Sequence, residues 1–92
     1  MDELDKLRLE LDVIDEQIVM LFEQRMAIAT RMGVLKGERG QAVWDEEREA
    51  AKVRNRESML RDRSLTKYVA RLFETILELS CQRQEEQRRD RA

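Results

Sequence analysis

LDKLRLELDVIDEQIVMLFEQRMAIATRMGVLK, residues 4–36, decides the fold of this chain. Within it Leu4, Leu7, Leu11, Ile14, Ile18, Leu21, Arg25, Ile28, Met32 and Leu35 advance by an unbroken alternation of three and four residues. That heptad rhythm places all of them on one stripe of a single long helix. Every member is apolar except Arg25. A guanidinium on a buried stripe keeps its charge and is costly to enclose unless an anion meets it. Arg25 therefore either pairs with a carboxylate of the protein or receives an anionic ligand, and spacing alone leaves both open.

Outward from this stretch, Gly37 and Gly40 are expected to stop the first helix near residue 36, and Gly33 weakens its last turn. A second helix is expected over 45–60, with Asp45 as N-cap and Glu46 and Glu47 at the positive end of its dipole. The polar residues 61–64 turn the chain into a third helix over about 65–88, striped by Leu65, Val69, Leu72, Phe73, Ile76 and Leu77. With no proline and few β-branched runs, no strand is expected. The expected fold is all-α, a single 92-residue domain built as a three-helix protomer with one long N-terminal helix.

Geometry then implies a second copy. A helix over 4–36 spans roughly 50 Å, whereas a compact monomer of this length has a radius of gyration near 12 Å. The long helix would project with its apolar seam in water, and pairing two chains removes the problem. The thin apolar stripe of the second helix argues the same way. A homodimer with extensive helix–helix burial is expected.

Composition narrows the chemistry. The chain has no His and a single Cys, Cys81. That removes His-based catalysis, a zinc site of the usual kind and an intrachain disulfide. A lone Cys and the acidic start MDELDKL fit a cytoplasmic protein without a signal peptide, and no apolar run is long enough to span a membrane. Charged residues are 41% of the chain but balance to a formal net charge of -2. A nucleic-acid binder needs a basic stripe; the nearest candidate, Arg83, Arg88, Arg89 and Arg91, is broken by Glu85, Glu86 and Asp90. No nucleic-acid or membrane partner is expected.

Further polar groups sit on apolar faces. Lys36 lies eleven residues beyond Arg25, nearly on the same face and about 16 Å along the axis. Two long cationic side chains can lean across that gap and hold a small dianion. On the third helix the apolar stripe runs into Ser80 and then Gln84, a hydroxyl and an amide one turn apart. On the second, Asp45 and Glu49 are one turn apart, with Arg48 beside them. Each has an ordinary alternative: an Arg25–Glu49 structural bridge, Lys36 on a helix C-terminal dipole, Asp45 as a cap, Ser80 and Gln84 as a stripe running out to solvent.

Taken together, Arg8, Asp15, Arg25, Gly33, Lys36, Asp45, Arg48, Glu49, Ser80 and Gln84 resemble the pattern of the all-helical, AroQ-type chorismate mutases. LDVIDEQIVMLFEQRMAIATRMGVLK (11–36) followed by VWDEEREAAK (43–52) is similar to the family's typical opening. The resemblance implies an interlocked helical homodimer that converts chorismate to prephenate on the route to phenylalanine and tyrosine, with no cofactor and no metal. It implies that Arg25 binds one substrate carboxylate with Ser80 nearby. Lys36 would contact the other carboxylate and the ether oxygen of the breaking C–O bond, and Gln84 would donate to that same oxygen. Glu49 and the Asp45 backbone would hold the ring hydroxyl, Arg48 would line the pocket, and Arg8 would enter from the partner chain. Spacing agrees with the last role: Arg8 and Arg25 are about 25 Å apart along one helix, too far for one small ligand. The chain departs from the family at Lys52, Arg56 and Glu57, where aliphatic residues are expected, so the second helix should pack loosely.

Two other functions compete. An isochorismate-pyruvate lyase of the same fold shares the basic pocket, but such lyases lack an acidic pair like Asp45 and Glu49. A non-catalytic helical dimerisation module would use Arg25 and Lys36 only to tune pairing, and would tolerate Arg25→Met.

Overall fold

A computed structural model describes residues 1–91, with side chains through residue 88. Among the described residues the chain is all helical and has no strand. Helix α1 spans Glu3–Glu38, α2 spans Glu46–Ser58 and α3 spans Thr66–Arg91, with a single 3-10 turn at Arg63–Leu65 leading into α3. The side chains of Arg89, Asp90 and Arg91, part of the basic cluster considered above, lie outside the described residues.

The helix boundaries follow from side-chain chemistry. Asp2 caps α1 by accepting from the Asp5 amide at 2.8 Å, and Asp45 caps α2 by accepting from the Arg48 amide at 3.2 Å. Asp62 does the same for the turn before α3, taking both the amide and the hydroxyl of Ser64. At the end of α1 the two glycines behave differently from expectation. Gly37 remains helical, and Gly40 alone adopts the left-handed conformation, with φ 66°. The Gln41 amide reaches back to the Lys36 carbonyl at 2.8 Å and the Gly40 amide to Gly37 at 3.3 Å. These crossed bonds form a Schellman cap, whose left-handed position needs a residue without Cβ.

Helix α3 is the hinge of the arrangement: it packs against both α1 and α2, which do not pack on each other. The contact with α1 is closest at Gly33. A Cβ built there would lie 2.8 Å from Cα of Gln84. Gly33 is thus the position where two helix backbones meet, which is a stronger reason for glycine than the weakened last turn expected from sequence. α2 contributes no buried residue, as its Lys52, Arg56 and Glu57 foreshadowed.

The protomer is elongated and nearly coreless. Its radius of gyration is 16.7 Å and its extents are 55 × 27 × 14 Å, against about 12 Å for a compact chain of this length. Among the described residues only Ala29, Val43 and Leu77 are buried and apolar. The α1 seam from Leu4 to Leu21 lies in the open, and so do Leu65, Tyr68, Leu72 and Leu79 along the outer side of the α3 region. Leu65 and Leu72, expected on the inward stripe of the third helix, therefore face outward in the single chain. The accessible surface is 7526 Å², whereas a compact monomer of 11.0 kDa exposes about 5,600 Å².

Candidate active site

Where α1 and α2 diverge over α3, they leave a cleft of about 170 Å³. α1 supplies Arg25 and Met32, α2 supplies Glu49 and Lys52, and α3 supplies Ser80 and Gln84 over a floor that includes Leu77. The sequence placed Arg25, Ser80 and Gln84 on inward stripes of separate helices; folding brings them to one place. Ser80 and Gln84 do not run out to solvent, being 5% and 6% exposed.

Within the chain, Arg25 is held by a neutral partner and not by a carboxylate. Its Nη1 donates to the Ser80 hydroxyl at 2.7 Å, and that hydroxyl donates onward to the Ile76 carbonyl at 2.8 Å. Among the described residues no carboxylate lies within 4 Å of the guanidinium. The structural bridge to Glu49 is not formed, because Glu49 binds Lys52 instead, at 3.2 Å. Burial lowers the Arg25 pKa from its ordinary value, repulsion from Arg56 lowers it further, and Glu49 acts the other way. An arginine nevertheless stays charged in a protein. The result is a fixed, half-sheltered cation whose protein partner is neutral.

Gln84 is the second unspent group. Its Oε1 is buried and has no hydrogen-bond partner. Leaving a buried acceptor unpaired costs about 1–3 kcal/mol, so this oxygen is open to a donor that enters the cleft.

Lys36, Asp45 and Arg48 border a second pocket of about 260 Å³ at the start of α2, which shares no lining residue with the cleft. The Lys36 ammonium donates to the Val43 carbonyl at 3.0 Å, which ties the connecting loop to the end of α1. An ammonium has three donors, so this bond leaves others for a ligand. Burial lowers the Lys36 pKa from its usual value, with repulsion from Lys52 next in size; Glu49 opposes this and Arg48 adds to it. The loop is held from its other side by Arg88, whose Nη1 donates to the Gln41 carbonyl at 3.3 Å.

Four predicted residues do not line the cleft: Lys36, Asp45 and Arg48 border the second pocket, and Arg8 lies apart from both. Arg8 is exposed on the free half of α1, where it pairs with Asp5 at 3.4 Å. Conversely, Lys52 lines the cleft and was not recognised as a site residue in the sequence. Its signal was present, since it lies one turn after Glu49 on the face that carries Asp45 and Glu49. A larger cavity, about 550 Å³, lies between α2 and α3 around Trp44, Val53 and Leu77. It gathers Glu46, Glu74 and Glu78 and no cation, so it does not suit an anion. Cys81 borders it, with its thiol pKa pushed up chiefly by burial.

The family model for chorismate mutase type II matches residues 7–85. The chain belongs to this family. The match runs through every candidate site residue from Arg8 to Gln84. No curated protein and no solved structure matches the chain. Among the described residues, no helix of this chorismate mutase family member is long and apolar enough to cross a membrane.

Proposed function

We propose that this chain is a chorismate mutase, catalysing the Claisen rearrangement of chorismate to prephenate for phenylalanine and tyrosine synthesis in the cytoplasm. The observation that carries the reading is Arg25: an inward cation beside Ser80, without a carboxylate partner among the described residues, in a cleft of about 170 Å³. The reaction is intramolecular. One C–O bond breaks and one C–C bond forms, with no proton transferred and no group lost. The protein has two tasks, to hold the substrate in a compact chair-like conformer and to stabilise negative charge growing on the ether oxygen. Arg25 and Lys36 take the two carboxylates, one in each pocket. Lys36 and Gln84 donate to the ether oxygen, Glu49 and the Asp45 backbone receive the ring hydroxyl, Arg48 closes the loop side, and Ser80 orients Arg25.

We infer also that residues 1–92 form one domain and that the working unit is an interlocked homodimer. The excess accessible surface over a compact monomer is about 1,900 Å² per chain, enough for an obligate interface. Charge supports the pairing. Residues 1–24 carry eight carboxylates against Lys6 and Arg8, while the two pockets are lined by Arg25, Lys36, Arg48 and Lys52 against Asp45 and Glu49. Laying the free half of one α1 over the cleft of the other chain joins opposite charges and brings in the partner's Arg8.

The test is loss of chorismate absorbance with purified protein, the product identified, beside an Arg25→Ala variant of matched fold. Prephenate formation that disappears in the variant is the expected result. Pyruvate release from isochorismate with no action on chorismate would assign the chain to the lyases of this fold. Inertness toward both by a folded dimer would make it a dimerisation module.

A further inference from the structure

Glu49 stands between two cations and has chosen one. Its carboxylate oxygens lie 3.2 and 3.4 Å from the Lys52 ammonium, while its charge is also felt at Arg25, which it does not touch. All three side chains line the same cleft. The pair is sheltered: the side chains of Lys52 and Glu49 are 30% and 12% exposed, against 63% and 52% for Arg48 and Asp45. Without Lys52, the nearly enclosed Glu49 carboxylate would be left without a counter-ion, and the neighbouring guanidinium is the natural replacement.

We propose that Lys52 is a positioning residue for substrate binding: by holding Glu49 it keeps the Arg25 guanidinium open to a carboxylate of the substrate. Losing Lys52 turns Glu49 into an internal competitor for Arg25. The inference rests on the mutase reading above and assigns a task within that site.

Steady-state kinetics on chorismate with the full dimer tests it. Lys52→Met is expected to raise KM about tenfold with kcat little changed, the lower end of what a charge-assisted hydrogen bond is worth. Lys52→Arg should restore KM, because the cation is kept. The discriminating variant is Glu49→Gln. Glu49→Gln by itself carries the loss of the Glu49 contact to the ring hydroxyl; in that background Lys52→Met should raise KM little further, since a neutral amide competes poorly for Arg25. A Lys52 that only stabilises the fold gives the same rise in both backgrounds. Lys52→Gln carries the same expectations as Lys52→Met, and circular dichroism at fixed protomer concentration shows which variants fold. A folded Lys52→Met or Lys52→Gln enzyme with unchanged KM overturns the proposal, and so does an equal rise in KM when Lys52→Met is made on the Glu49→Gln chain. Wild-type protein inert toward chorismate is a different result, which removes the mutase reading and this inference with it.

Discussion

Replacing Gly33 by alanine tests whether the crossing of α1 and α3 places the Gln84 amide, proposed above to donate to the ether oxygen. An added Cβ would lie 2.8 Å from Gln84 Cα, 3.0 Å from its Cβ and 3.0 Å from its carbonyl oxygen. Carbon atoms rest at about 3.5–4.0 Å, and none of these atoms can swing aside as a side-chain tip could. The helices must therefore separate locally by roughly 1 Å. Overpacking of this kind costs about 1–3 kcal/mol, and the better helix propensity of alanine returns about 1 kcal/mol. The net loss of stability should be at most about 2 kcal/mol, which leaves a folded protein. A displacement of about 1 Å at a catalytic group costs far more, on the order of a hundredfold. Gly37→Ala is the matched control, because its Cβ meets only the Arg88 side chain, Cγ at 3.6 Å and Nε at 3.8 Å, both ordinary contacts. It should stabilise by up to about 1 kcal/mol and leave turnover unchanged. Thermal melts at fixed protomer concentration and kcat on chorismate measure both effects. Wild-type kcat in Gly33→Ala, or equal damage in Gly37→Ala, would refute the reasoning.

Gln84→Ala removes the buried, unpaired Oε1. Stability should hold or rise while kcat falls by about a hundredfold, as for loss of a donor to a developing oxyanion; unchanged kcat would take Gln84 out of the mechanism. Lys36 makes activity and stability respond to pH in opposite senses. Its folded pKa is lowered chiefly by burial, so kcat/KM should fall with rising pH below the range of an ordinary lysine. In the same window the unfolded chain binds the extra proton, so Lys36 contributes stability that increases with pH. A pH–rate profile and melts across the alkaline range check both signs, and Lys36→Met should abolish both dependences.

Much of the fold could be read from regular signals. The heptad seam marked α1, and Asp45 marked the start of α2, because capping is a local property of one side chain and the next amides. Gly37 and Gly40 looked alike in sequence; only the reversed connection to α2 shows that Gly40 alone needs the left-handed conformation. Gly33 read as a weak point because its reason lies on another helix, at Gln84. The polar set at Arg25, Ser80 and Gln84 was legible as intrusions on apolar stripes. Lys52 was not, because a lysine one turn after a glutamate on a charged helix reads as a solvated pair until the third wall of the cleft is present. Leu65 and Leu72 were assigned inward since periodicity marks an apolar face without saying whether the same chain or another covers it.

The claim that the site is built from two chains has a direct test in mixed dimers. Arg8→Ala and Arg25→Ala chains should each be nearly inactive alone. Unfolded together and refolded, half of the dimers pair one chain of each kind, and every such dimer contains one site free of both changes. Prephenate formation by the mixture should recover to about a quarter of the wild-type rate. No recovery by folded mixed dimers, or full activity of Arg8→Ala alone, would contradict a site completed by the partner's Arg8.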